Sequence, residues 1–114
     1  MDQAIKLSIF EIVGNEFCVA ADDGQKVYDQ IVQALDKDLK VRISFLNVER
    51  LTSAFLNVAI GQLYGKYADD FLNSHLSAAD IESDDLALLK RVIDTAKLYF
   101  KDPTVIDRAR LYQA

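Results

Sequence analysis

The sequence predicts a small single-domain α/β fold, and three observations carry that prediction. The chain has 114 residues, 51% of them hydrophobic, enough for one core that buries roughly two-thirds of the surface an unfolded chain exposes. Two segments rich in β-branched residues, 5–13 and 40–46, lie on either side of a stretch whose apolar residues recur at helical spacing. Two more helical patterns follow, and strand, helix, strand in that order implies a right-handed parallel crossover covered by helices.

In the first segment Ile5, Leu7 and Ile9 alternate as in a strand with one buried face. Phe10 and Ile12 make the opposite face apolar too, so its far end is either covered on both sides or shifted in phase by a bulge. Gly14 and Asn15 mark a turn, after which 16–20 can pair back as a short hairpin arm. Asp22 with Gln25 has the form of a capping box, and Val27, Ile31, Ala34 and Leu35 predict a helix over about 23–36. Val41, Ile43 and Phe45 point inward from the second strand, against Arg42 and Ser44.

Thr52 or Ser53 caps a helix over 54–67 that is apolar around most of its circumference, and such a helix has to be covered. Its small residues, among them Ala54, Gly61 and Gly65, form a low ridge where a sheet, a helix or a partner chain can approach closely. A further helical turn at Phe71–Leu72 and a brief strand at 75–78 precede a long helix that Ser83 caps and Pro103 ends. The core of the domain spans about 5–101, and 102–114 form a short helix or a tail.

Composition narrows the chemistry. The net charge is −5, which repels phosphate backbones and argues against a nucleic-acid partner. The basic end, from Lys90 to Arg110, reads as a solvated helix face. A lone Cys18 excludes an internal disulfide framework and suits a reducing compartment. No secretory signal and no membrane-length apolar run is visible, so a cytoplasmic location is expected. Phosphate-binding loops, dinucleotide fingerprints, nucleophile elbows and zinc motifs are all missing. His75 and Cys18 are the residues an enzyme would have to use, no orienting partner is evident for either, and no enzyme activity, cofactor or metal is expected. The pairs Asp22/Asp23, Asp69/Asp70 and Asp84/Asp85 sit near predicted helix starts, where the dipole accounts for them.

Two arrangements remain as candidate sites. Asp23, Gly24 and Gln25 open a helix, where backbone N–H groups, together with the Ser53 helix start, can bind a small anion or a nucleotide. Thr52 and Ser53 open the apolar helix with Asn57 one turn on, and capping explains one hydroxyl but not both.

The run Phe45-Leu46-Asn47-Val48 with Thr52-Ser53-Ala54-Phe55-Leu56-Asn57-Val58-Ala59-Ile60-Gly61-Gln62-Leu63 resembles the STAS-like domain family of unknown function, a distant relative of the sulfate transporter and anti-sigma factor antagonist domains. Asp23-Gly24-Gln25-Lys26-Val27-Tyr28 and Leu89-Lys90-Arg91-Val92-Ile93-Asp94-Thr95-Ala96-Lys97-Leu98-Tyr99 look like its first and last helices. The resemblance implies a mixed sheet covered by helices and a bacterial protein-binding module without catalysis. Its partner would be a GHKL-type ATPase or kinase, or a second copy of the chain. It also implies that a phosphoacceptor role falls on Ser53, with Thr52 beside it. Ser44 stands where the family's strand would carry an aspartate, and Leu51-Thr52 and Ala54 replace the residues that usually flank the serine.

Overall fold

The first strand, β1 (Ala4–Ser8), stops where Ser8 becomes a helix cap. In the computed structural model, which describes residues 4–101, the Ser8 hydroxyl accepts the Glu11 N–H at 3.1 Å. A one-turn helix, α1 (Ile9–Val13), follows and closes on Gly14 at φ 90°. The alternation through Ile12 predicted more strand. A capping serine and a left-handed glycine six residues apart overrule it, and the helix buries Ile9 and Val13 on one side.

The expected hairpin arm pairs elsewhere. β2 (Phe17–Cys18) runs parallel to β4 (Arg50–Leu51), not back along β1, because the Glu16 carbonyl accepts the N–H groups of Glu49 and Arg50 at 2.9 and 3.3 Å. Helix α2 (Ala21–Leu35) begins at an Ala20 cap that makes no side-chain bond. Asp22 therefore lies in the first turn beside Asp23, where the dipole favours both, and forms no capping box.

The main sheet has the order β1, β3 (Lys40–Ser44), β5 (Leu76–Ala79) and is parallel throughout. The α/β class holds, and every strand pairing among the described residues is parallel, so the antiparallel part of a mixed sheet is not found among them. The rows Ile5–Val41–Leu76 and Leu7–Ile43–Ala78 lie on the core face, and Lys6–Arg42–Ser77 lie on the other. Ser44 belongs to the outward rows, yet only 2% of it is exposed. Asp80, at φ 58°, folds over it and accepts its hydroxyl at 2.7 Å.

The predicted 54–67 helix is two pieces. Helix α3 (Ser53–Ala59) ends at Ile60 and continues as a 3-10 turn over Gly61–Gly65. Glycine is a poor helix former, and these two are where the last helix presses in. A Cβ at Gly61 would stand 3.7 Å from Val92 and Ala96, and one at Gly65 would stand 2.5 Å from the Phe100 ring. The two glycines of the low ridge therefore serve the chain's own helix α5 (Ser83–Lys101), while Ala54 stays exposed. Before it come α4 (Asp69–His75), longer than the single turn expected, and β5. Ser83 is the first helical residue of α5, and the Glu82 carbonyl ahead of it accepts the Leu86 N–H. Phe55, Leu56, Ile31, Val41 and Leu63 form the centre of a core shared by α2, α3 and the sheet. The short helix or tail expected over 102–114 lies outside the described residues.

Candidate functional site

Thr52 and Ser53 are adjacent in sequence and opposite in role. Thr52 caps α3: its Oγ1 accepts the Phe55 N–H at 3.2 Å and donates to the Val19 carbonyl at 2.9 Å. One hydroxyl thus holds the helix start and ties it to the segment after β2. Ser53 is the first helical residue, exposed, and its hydroxyl makes no hydrogen bond among the described residues. The question of why two hydroxyls are present reduces to Ser53 alone.

Asn57 follows one turn after Ser53 on the same face of α3 and is exposed as well. Beyond it opens a groove of about 220 Å³ lined by Asn57, Gly61, Gln62, Thr95, Tyr99 and Phe100. The Ser53–Asn57 face therefore runs into a cleft between the end of α3 and the last turns of α5. Its aromatic wall was not evident from the sequence. The available signal was the four-residue spacing of Val92, Ala96 and Phe100, which matches that of Gly61 and Gly65. Next to buried Cys18, Phe17 is 48% exposed and Val19, whose carbonyl accepts the Thr52 hydroxyl, 37%.

The second candidate arrangement does not stand as an anion site. Gly24 is the fourth residue of α2 and its N–H already donates to the Ala20 carbonyl at 3.1 Å. The glycine is there for close packing: a Cβ would lie 2.6 Å from the Phe55 carbonyl oxygen. Gln25 donates to Asp29 at 2.9 Å and accepts from Gln62 at 3.3 Å. Asp23 pairs with Lys26 at 3.3 Å. These residues do sit next to the Thr52–Ser53 helix start, but as a brace between α2 and α3.

Cys18 and His75, the residues an enzyme would have to use, are both engaged in the fold. Cys18 is fully buried; burial, then the charge of Asp23, pushes its thiol up to about 11, which disfavours the reactive thiolate. His75 ends α4 instead of lying in a strand. Its Nε2 lies 2.8 Å from Asp38 Oδ1, and its Nδ1 lies 2.8 Å from both the Phe71 carbonyl and Ser74 Oγ. The ring stacks on Phe71 at 4.0 Å, which in turn stacks on Tyr67. With both nitrogens taken up, the histidine fastens α4 to the turn before β3.

The family model for the STAS-like domain of unknown function (DUF4325) matches residues 23–86. The chain belongs to that family. Comparison with curated proteins and with solved structures gave no match. The matched stretch of this STAS-like domain runs from the first turn of α2 to the first turn of α5, and it includes Thr52, Ser53 and Asn57. The groove wall of Thr95, Tyr99 and Phe100 lies beyond it. Among the described residues no helix is long and apolar enough to cross a membrane.

Proposed function

We propose that this STAS-like domain is a non-catalytic protein-interaction module that docks a partner along the exposed face of α3. Ser53 and Asn57 would contact it first, and the groove at Tyr99 and Phe100 would take one of its apolar side chains. The observation that carries this reading is the continuity of the two: a serine and an asparagine one turn apart, both exposed, lead into an apolar cleft. Phe17 and Val19 extend the apolar rim beside Thr52. Glu16 and Glu49 outnumber Arg50 along the β2–β4 segment, which favours a partner with positive charge at its edge.

The resemblance to anti-sigma factor antagonists makes a GHKL-type ATPase the partner to try first and Ser53 the residue it would phosphorylate. A phosphate there would bring nearly two negative charges to an already acidic rim, and so would release a basic partner. The lone thiol of Cys18 suits a bacterial cytoplasm.

Co-purification from the native host with mass spectrometry identifies partners and modification together. With the purified partner, Ser53→Asp and Asn57→Ala should each weaken binding at least tenfold, about 1.4 kcal/mol. Unchanged affinity in both variants retires this surface.

A further inference from the structure

We propose that the slot between α5 and β5 is a second site, which takes a small single-chain anionic amphiphile with its tail against the sheet and its head at Lys90 and Lys97. The slot exists because α5 packs mainly on α3 and the 3-10 turn and, among the described residues, leaves β5 largely uncovered. β5 lines it with Leu76 and the short side chains of Ser77 and Ala78. Ala78 stands in register with Ile43 on the core face of the sheet, yet it is exposed. A core-facing position open to solvent is what an unfilled apolar seat looks like.

The opening amounts to about 260 Å³, near the lower edge of small-molecule pockets. At interior packing density it holds roughly ten to fifteen non-hydrogen atoms, the size of a medium-chain acid and too small for a folded peptide segment. Its floor is Ile43, Ile60, Leu72, Leu89 and Ile93. The cations line one side, both on α5, with Ile93 between them in sequence. Lys97 is held at the mouth by the Tyr64 ring, its Nζ 5.7 Å from the centroid. The carboxylates of Asp69 and Asp94 approach Tyr64 and, after burial, hold its hydroxyl pKa above the usual value. Neither of them lines the slot. An occupant with an apolar chain and one negative charge satisfies floor and mouth together, whereas a neutral chain offers neither lysine a counter-charge.

This site is on the other flank of α5 from Thr95, Tyr99 and Phe100, so it stands or falls separately from the docking face. Decanoate titrated into the full chain tests it, by calorimetry and by amide chemical shifts. Saturable one-to-one binding is expected, with shifts at Ala78, Leu89 and Ile93. Decan-1-ol should bind at least tenfold more weakly, as should decanoate to the Lys90→Gln/Lys97→Gln variant. Ala78→Leu, which fills the slot from the sheet, should abolish binding. Leu86→Phe narrows the same slot from α5 and replaces it if the first variant fails to fold. Absence of saturation, undiminished binding to the lysine variant, or shifts centred on Tyr99 and Phe100 would each overturn the proposal.

Discussion

Gly24 and Phe55 meet backbone to backbone: a Cβ on Gly24 would stand 2.6 Å from the Phe55 carbonyl oxygen, with Val58 Cβ at 3.1 Å behind it. Neither obstacle is the end of a flexible side chain, so α2 and α3 would have to separate. Alanine gains about 1 kcal/mol over glycine in a helix interior, and overpacking a close contact costs about 1–3 kcal/mol. Gly24→Ala is therefore expected to lower stability despite the better propensity, by up to about 2 kcal/mol. A lower urea midpoint at unchanged slope would show it. A rise would mean that the helices are free to move apart.

Ser44 and Asp80 join the ends of β3 and β5 in a way that explains an unusual residue. The Ser44 hydroxyl donates to Asp80 Oδ2 at 2.7 Å and accepts the Leu46 N–H at 3.3 Å, and Lys6 approaches the same carboxylate at 3.4 Å. The serine hydroxyl, and then the lysine, hold the Asp80 pKa below the ordinary range. Restoring the aspartate that the family resemblance leads one to expect at position 44 would set two carboxylates against each other. Ser44→Asp should destabilise the fold at neutral pH, and Ser44→Asp combined with Asp80→Ser should recover most of the loss, because the hydroxyl–carboxylate pair is remade with its members exchanged. Thermal unfolding of the three variants reads the coupling, and strictly additive losses would refute the exchange.

The fold was largely legible from apolar periodicity, and it was misread where polar residues decide. Val41, Ile43 and Phe45 gave β3, and Val27, Ile31, Ala34 and Leu35 gave α2, since burial of a repeating face dominates both. The α1 turn was missed although Ser8 and Glu11 have capping spacing and Gly14 follows, because four apolar residues drew the reading towards a strand. β2 was sent to the wrong neighbour, since a two-residue strand takes its partner from loop hydrogen bonds that have no sequence pattern. Ser53 and Asn57 were proposed as site residues from the resemblance and from helical spacing, and their exposure on one face of α3 is what the structure adds. The groove beyond them was not legible, because it requires knowing that α5 lies across Gly61 and Gly65.

Alkaline stability should follow the buried thiol. Cys18 has its pKa raised from 9.0 to about 11 in the folded chain, so the native state keeps a proton that the unfolded chain loses. The contribution is complete below pH 9, falls as pH rises, and is gone above about 11. Tyr67, whose proton is held by burial and by a 2.6 Å bond to Asp36, adds to the fall only above pH 10. Cys18→Val should therefore flatten the stability profile between pH 9 and 10 and leave the decline above 10. A profile equally steep in the variant would assign the loss to other groups.

Thr52 and Ser53 separate architecture from recognition, and stability measurements on the unbound chain can tell them apart. Thr52 caps α3 and holds Val19 through one oxygen, so Thr52→Ala removes two hydrogen bonds at a half-buried position. A cost of about 1–2 kcal/mol is expected. Ser53→Ala removes an exposed hydroxyl with no bond among the described residues, and should stay within about 0.5 kcal/mol of wild type. Ser53→Asp should be neutral or slightly stabilising, since a carboxylate in the first turn meets the positive end of the helix dipole. If Ser53→Ala instead proves as costly as Thr52→Ala, the serine is part of the scaffold, and its exposure loses its value as evidence for a docking face.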